Sequence, residues 1–194
     1  MRKRLLVGSL AVSAVLSAAI IWAIAHSSDS SSTSSADTVA NIDTDATVQP
    51  PSIGTNAALQ GIALPKVTVQ TLQGDDVSTA DLVGQPMVIN VWGSTCGPCK
   101  QELPAFAAAH EQFGNQVRFV GVDYLPPSDH EEKFARDKGV QYELLYDGNG
   151  EFISKVGIAA FPVTLFVTAD GTIVKQTGQL DEAKLTSLIQ SELL

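Results

Sequence analysis

The chain has 194 residues, of which 44% are hydrophobic and 17% are charged, and its formal net charge is −9 at pH 7. This length accommodates one domain with a full hydrophobic core plus an appended segment. The acidic charge balance argues against nucleic acid and anionic lipid as partners.

The first 25 residues form a hydrophobic segment behind a basic cluster. Arg2, Lys3 and Arg4 precede an uncharged run over residues 5–25, which as a helix would be about 31 Å long. The pattern predicts a single-pass membrane anchor over residues 1–25, with the basic cluster in the cytoplasm and the remainder of the chain exported. A cleaved signal peptide is the alternative, since residues 23–25 have the small-x-small form of a cleavage site. The run exceeds the apolar core of such signals, usually about 7 to 15 residues, and this favours the anchor.

Residues 26–62 have a different composition. Positions 27–35 are all Ser, Thr or Asp, and no Lys or Arg occurs between Arg4 and Lys66. Such a segment buries too little apolar surface to offset the entropy lost on ordering, so it is predicted to be a disordered tether. The globular domain is then expected over residues 63–194.

The predicted elements of this domain alternate between strands and helices. Strands are predicted over residues 66–70, 87–92, 116–123, 142–146, 163–168 and 172–176. Helices are predicted over residues 78–82, 96–113, 128–138, 151–156 and 180–193. Ser128 and Glu131 form a capping box, residues 74–76 a turn, and Asp170-Gly171 a hairpin signal. This order predicts an α/β domain with a mixed central sheet and helices on both faces.

The only two cysteines, Cys96 and Cys99, lie two residues apart between a predicted buried strand and a predicted helix. At the first turn of a helix, two thiols at this spacing can close a short disulfide, and the helix N-terminus stabilises the thiolate of the first. A disulfide this short adds little stability by loop closure. The position therefore predicts a redox disulfide between Cys96 and Cys99.

The spacing of the candidate ligands argues against a zinc site or a haem attachment site at the same cysteine pair. A structural zinc site needs four ligands, and the three histidines of the chain stand at no matching distance from the cysteines. Covalent haem attachment needs His directly after the second cysteine, where this chain has Lys100. We therefore expect no metal and no cofactor.

The block from Trp92 to Pro104, with Gly97-Pro98 between the cysteines, resembles the signature of the thioredoxin fold, and Phe161-Pro162 resembles its proline loop. Glu102 followed by Leu103-Pro104, together with the inserted segment 124–157, resembles the membrane-tethered TlpA/ResA-type branch. The resemblance covers about residues 66–194. It implies a thioredoxin fold with an inserted helix-strand unit and an N-terminal strand extension, and a thiol:disulfide oxidoreductase acting outside the cytoplasmic membrane.

The proposed roles begin with Cys96 as the nucleophile and Cys99 as the thiol that resolves the mixed disulfide. Glu102 lies on the same helical face as Cys99. If it is partly buried, it suits proton transfer from Cys99; the alternative is a first-turn charge that stabilises the helix dipole. The resemblance favours the catalytic role. Asn90 stands where thioredoxin has a buried acid, and an amide cannot take a proton.

Five residues are predicted to contact the substrate. The proline loop is expected to hold a cis bond before Pro162 and to present backbone groups to a client strand, although a trans proline at an edge strand is the alternative. The predicted substrate-binding residues are Trp92, Gly97, Pro98, Phe161 and Pro162.

The resemblance favours a reductant of disulfides in exported proteins, such as apocytochrome c, supplied with electrons by a membrane thiol carrier. Its partners would be protein thiol or disulfide clients. A disulfide-forming oxidase is the alternative within the same chemistry. A peroxiredoxin-type peroxidase is disfavoured, because that branch has Thr three residues before its nucleophile and this chain has Gly93. A tethered binding module without turnover is the alternative outside enzymes.

Overall fold

The computed structural model describes residues 56–194. The predicted anchor, residues 1–25, and most of the predicted tether, residues 26–55, lie outside the described residues. None of the helices between residues 56 and 194 combines the length and apolar character needed to cross a membrane.

Eight strands form a single mixed sheet in the order β1-β8-β7-β4-β5-β6-β2-β3. The pairs β4–β5 and β5–β6 are parallel, and every other neighbouring pair is antiparallel. The mixed sheet predicted from the sequence is confirmed. The strands are β1 Ile62–Ala63, β2 Thr68–Gln70, β3 Asp76–Ser78, β4 Met87–Trp92, β5 Arg118–Asp123, β6 Glu143–Tyr146, β7 Val163–Val167 and β8 Thr172–Thr177.

Residues 56–194 also form four α-helices and one short 3-10 helix. The 3-10 helix is Thr79–Leu82, and the α-helices are α1 Gly97–Phe113, α2 Asp129–Asp137, α3 Glu151–Val156 and α4 Glu182–Glu192. Between β5 and β7 the chain inserts α2 and β6, the helix-strand unit that the resemblance implied. Ser128 caps α2 by accepting a hydrogen bond from the Glu131 backbone N–H.

Strand β4 lies at the centre of the core, and all six of its residues are buried. Successive side chains of a strand point to opposite faces, so both faces of β4 are covered. Val88 and Trp92 pack into one cluster with residues of α1 and α4. Met87, Ile89 and Val91 pack into a second cluster with residues of β2 and α3. This double burial explains the uninterrupted apolar run in the sequence.

The start of the domain differs from the prediction. Asn56 Oδ1 accepts hydrogen bonds from the backbone N–H groups of Ala159 and Ala160, each at 2.8 Å. Leu59 is buried, and β1 pairs with β8. Residues 56–62, predicted as part of the tether, therefore pack on the domain, first through hydrogen bonds to the loop after α3 and then by adding to the edge of the sheet beside β8.

Two further differences concern Asp76 and Glu131. Asp76, assigned to a turn, begins β3 because Val77 pairs with Val69 of β2. The Glu131 side chain, expected to complete the capping box, instead accepts hydrogen bonds from Ser94. The first difference arises because the hairpin between β2 and β3 is shorter than the predicted turn allowed, and the second because the partner of Glu131 lies 37 positions away in sequence.

Candidate active site

Cys96 and Cys99 are joined by a disulfide, with the two Cα atoms 5.3 Å apart. Cys96 is the N-cap of α1, and its sulfur accepts a hydrogen bond of 3.2 Å from the Cys99 backbone N–H. This position places the sulfur at the positive end of the helix dipole, which stabilises a thiolate. Cys96 is 9% exposed and Cys99 is 0% exposed. A reaction partner therefore reaches the disulfide at Cys96.

Gly97 and Pro98 form the exposed first turn of α1 beside Cys96. Proline suits this turn because its missing N–H would have no partner inside the helix. A Cβ atom built on Gly97 would meet no atom within 4 Å. The surface next to the Cys96 sulfur is therefore open to a client chain.

Glu102 lies one helical turn beyond Cys99 and is only 1% exposed. Its carboxyl group accepts hydrogen bonds from Asn90 Nδ2 at 2.8 Å and from the Leu180 backbone N–H at 3.2 Å. Burial raises the pKa of Glu102 to about 7, against the lowering effect of these two hydrogen bonds. The alternative of a first-turn dipole charge is wrong, because the first turn of α1 contains no acidic residue.

The proline loop lies next to the end of β4. Val91 of β4 is paired with Val163 of antiparallel β7, so the residues that follow and precede them, Trp92 and Pro162, are opposite one another. The Phe161-Pro162 peptide bond is cis, as the resemblance implied. Phe161 is half-buried and packs against the core cluster that contains Cys96. The sheet register thus brings the predicted proline loop to the cysteine loop.

Trp92 lies beneath the site instead of on its surface. It is 0% exposed, and its ring stacks on Phe134 with the ring centroids 6.2 Å apart. A client cannot reach a fully buried side chain in this conformation. The structure therefore gives Trp92 a packing position under the cysteine loop, in contrast to its predicted place among the substrate-binding residues.

Tyr124 is a site residue that the sequence reasoning missed. Its hydroxyl lies 2.6 Å from the Thr95 hydroxyl, and its ring centroid is 4.4 Å from that of Phe161. A Cβ atom on Gly93 would come within 2.6 Å of the Tyr124 ring. Its position directly after β5 could have indicated a place in the site, because the carboxyl ends of the parallel strands β4 and β5 meet at one edge of the sheet.

No group of three or more His, Cys, Asp or Glu side chains within residues 56–194 is arranged to hold a metal ion. The chemistry that the described residues support is thiol–disulfide exchange. It requires an accessible sulfur and a second sulfur within bonding distance, and Cys96 and Cys99 supply both. Glu102 adds a carboxyl group with a pKa near neutral, one helical turn beyond Cys99.

The sheet, the helix that begins at the disulfide and the adjoining proline loop define a thiol-disulfide oxidoreductase with a thioredoxin-like fold. The chain belongs to the AhpC/TSA family, whose sequence model matches residues 61–176. The thiol-disulfide oxidoreductase ResA of Bacillus subtilis (strain 168) is 25% identical over 134 residues, which span 68% of this chain and 75% of ResA.

Solved structures show the same fold. The structure of MTB DsbF in its mixed oxidized and reduced forms has 25% sequence identity and a TM-score of 0.59, covering 65% of this chain and 94% of DsbF. The thioredoxin domain of a thiol-disulfide oxidoreductase from Bacteroides vulgatus has 19% identity and a TM-score of 0.63, covering 71% of this chain and all 100% of that domain. The predicted thioredoxin fold is confirmed.

Proposed function

We propose that the protein reduces disulfides in exported proteins, such as apocytochrome c, from a position outside the cytoplasmic membrane. The observation that carries the proposal is the Cys96–Cys99 disulfide at the start of α1, with one sulfur accessible and the other buried one turn from a proton-exchanging Glu102. The uncharged run 5–25 behind the basic cluster supports an anchor that holds the domain outside.

The reaction proceeds in two exchange steps. In the reduced protein the Cys96 thiolate attacks one sulfur of the client disulfide, forms a mixed disulfide and releases the other client sulfur as a thiolate. Cys99 then attacks the Cys96 sulfur while Glu102 accepts the Cys99 proton. The second client sulfur leaves, and the Cys96–Cys99 disulfide forms. The client gains two electrons, and a membrane thiol carrier returns two electrons to the protein.

The direction of transfer is inferred from the two residues between the cysteines. Gly97-Pro98 is the pair found in thioredoxin, which lies at the reducing end of the thiol–disulfide scale, at about −270 mV. The chain has no third cysteine to which a disulfide could be passed internally. A disulfide-forming oxidase would use Cys96, Cys99 and Glu102 to run the same exchange in the opposite direction. Its less negative reduction potential would distinguish it from a reductant.

The peroxidase alternative conflicts with the packing around Gly93. A threonine at this position, as in the peroxiredoxin branch, would place its Cβ atom within 2.6 Å of the Tyr124 ring. Contacts this short do not occur between unbonded carbon atoms, so Tyr124 fills the space that the threonine side chain would need. The arrangement favours exchange with protein disulfides over reduction of peroxide.

A turnover assay tests the proposal. With dithiothreitol as the electron source, the wild-type protein is expected to accelerate the reduction of insulin disulfides, and Cys96→Ser is expected to return the rate to background. Neither protein should consume hydrogen peroxide. Peroxide turnover that depends on Cys96 would move the protein to the peroxidase class. Insulin binding without any acceleration would indicate a binding module.

A further inference from the structure

Two buried carboxyl groups lie in contact behind the cysteine loop. Asp123 is the last residue of β5 and is 0% exposed, and Glu131 in the first turn of α2 is 4% exposed. Asp123 Oδ1 accepts a hydrogen bond from the Leu125 backbone N–H at 2.8 Å. Asp123 Oδ2 has no donor among residues 56–194, yet the Glu131 carboxyl group lies within hydrogen-bonding reach of Asp123. Two carboxyl oxygens can form a hydrogen bond only if one of them carries a proton.

Glu131 connects this pair to the cysteine loop. Its Oε2 atom accepts a hydrogen bond of 3.0 Å from the Ser94 backbone N–H, and its Oε1 atom one of 2.5 Å from the Ser94 hydroxyl. Ser94 stands two residues before Cys96, in the loop between β4 and α1. Glu131 therefore fixes both a backbone and a side-chain donor of that loop from a helix 37 positions away in sequence.

The other titratable and charged groups around the pair are exposed or have partners of their own. On α2, His130 Nε2 lies 3.9 Å from Glu131 Oε1 with the His130 side chain 78% exposed, and Arg136 is paired with Glu132 at 2.7 Å. On β6, the Tyr146 hydroxyl donates to Glu132 at 2.9 Å. After β6, the Asp147 carboxyl group is occupied by the backbone N–H groups of Phe152 and Ile153.

No Lys or Arg of the described chain forms an ion pair with either carboxyl group. Burial and the adjacent Glu131 charge therefore raise the pKa of Asp123 to about 8. Asp123 therefore keeps its proton at neutral pH, while both carboxyl oxygens of Glu131 accept hydrogen bonds from Ser94.

We propose that Asp123 and Glu131 are positioning residues that hold the cysteine loop through a shared proton, and that loss of this proton slows the reactions of Cys96. The inference rests on the proposed function, since it concerns the same nucleophile. When Asp123 ionises, two carboxylates stand in contact without a proton between them. Their repulsion displaces Glu131 from Ser94, and the added negative charge disfavours the nearby Cys96 thiolate.

The test uses the full chain and the Asp123→Asn variant. Asparagine has the same shape, accepts from Leu125 and donates to Glu131, but it cannot ionise. Alkylation of Cys96 by iodoacetamide is measured in the reduced proteins between pH 6.5 and 9.5. The two rates are expected to agree within about twofold at pH 6.5, with the variant about threefold or more faster at pH 9.5.

Asp147→Asn is the matched control, because Asp147 is also a buried aspartate at a strand end, but its carboxyl group accepts hydrogen bonds from the first turn of α3 instead of pairing with Glu131. Its alkylation rate relative to wild type should not change with pH. If the alkylation rate of Asp123→Asn divided by that of wild type were constant across the same pH range, the proposal would be overturned. A purely structural role would change the rate by the same factor at every pH.

Ser94→Ala keeps the proposal testable if Asp123→Asn does not fold. This variant loses the hydroxyl link but leaves both carboxyl groups in place. It is expected to alkylate about threefold more slowly than wild type at pH 6.5 and to match wild type at pH 9.5, where the wild-type link is already released. A deficit that persists unchanged at pH 9.5 would contradict the inference.

Alkylation requires no protein client, so the outcomes for the two proposals are separable. If insulin is not reduced but the rate ratios change with pH as described, the proposed function fails and the positioning role stands. If insulin is reduced and the ratios are constant, the positioning role fails alone.

Discussion

In the reduced protein, Cys96 is expected to react with iodoacetamide at least about 100-fold faster than Cys99 near pH 7. Cys96 is at the N-terminus of α1 and reaches the surface, whereas Cys99 is 0% exposed. Peptide mass spectrometry after timed alkylation measures the two rates in one sample. Equal rates, or faster labelling of Cys99, would reverse the assignment of nucleophile and resolving thiol.

The same assignment predicts opposite behaviour for the two serine variants. Cys99→Ser removes the resolving thiol, so mixed disulfides between Cys96 and client proteins should accumulate and survive on a non-reducing gel. Cys96→Ser leaves only a buried thiol and should trap no client. Trapping by Cys96→Ser would show that clients reach Cys99, against its burial in the structure.

Replacement of Glu102 by Gln is expected to slow disulfide exchange by about 100-fold or more, the usual scale for loss of a general base. Glutamine keeps the size of the side chain but cannot take the Cys99 proton. In wild type the exchange rate should rise with pH through about 7, where Glu102 ionises, and this inflection should be absent in the variant. Stopped-flow fluorescence across pH 5 to 9 measures both effects.

Glu111→Gln is the matched control, because Glu111 lies on the same helix but is exposed. It should leave the rate and the pH profile unchanged. If Glu102→Gln also exchanged at the wild-type rate with the same profile, Glu102 would have no part in proton transfer, and water would accept the Cys99 proton.

The raised pKa of Glu102 also determines how its replacement changes stability. The folded protein keeps the Glu102 proton between pH 4.5 and about 7, where the unfolded chain loses it, so folding stability falls as pH rises through this range. Glutamine cannot ionise, so the variant does not undergo this fall in folding stability. At pH 8 the variant should be more stable than wild type by up to about 3 kcal/mol in urea unfolding, and the difference should shrink towards pH 4.5.

The central part of the site could be predicted from sequence because its signals are local. The apolar run of β4, the two cysteines after it and the helical pattern of α1 are contiguous, and residues 87–113 fold as expected. The same local signals placed α2, α3 and α4 within a few residues. The mixed sheet followed from the alternation of these elements.

The rest of the site depends on contacts between distant parts of the chain. Nothing in the local sequence distinguishes Glu102 from an exposed helical glutamate. In the fold, the backbone N–H of Leu180, 78 positions later, donates to its carboxyl group, and the core excludes water from it. Tyr124 follows a strand end without a recognisable motif. The strands β1 and β3 have only two and three residues, too few for a periodic pattern.

The measurement that tests the proposed reductant most directly is the reduction potential of the Cys96/Cys99 couple. Equilibration of the full chain with dithiothreitol or glutathione buffers, followed by quantification of the two thiols, gives this value. The proposed function predicts a potential more negative than about −200 mV, on the reducing side of the known thiol–disulfide proteins. A potential near about −120 mV, that of a strong oxidant, would contradict the proposal and assign the protein to disulfide formation.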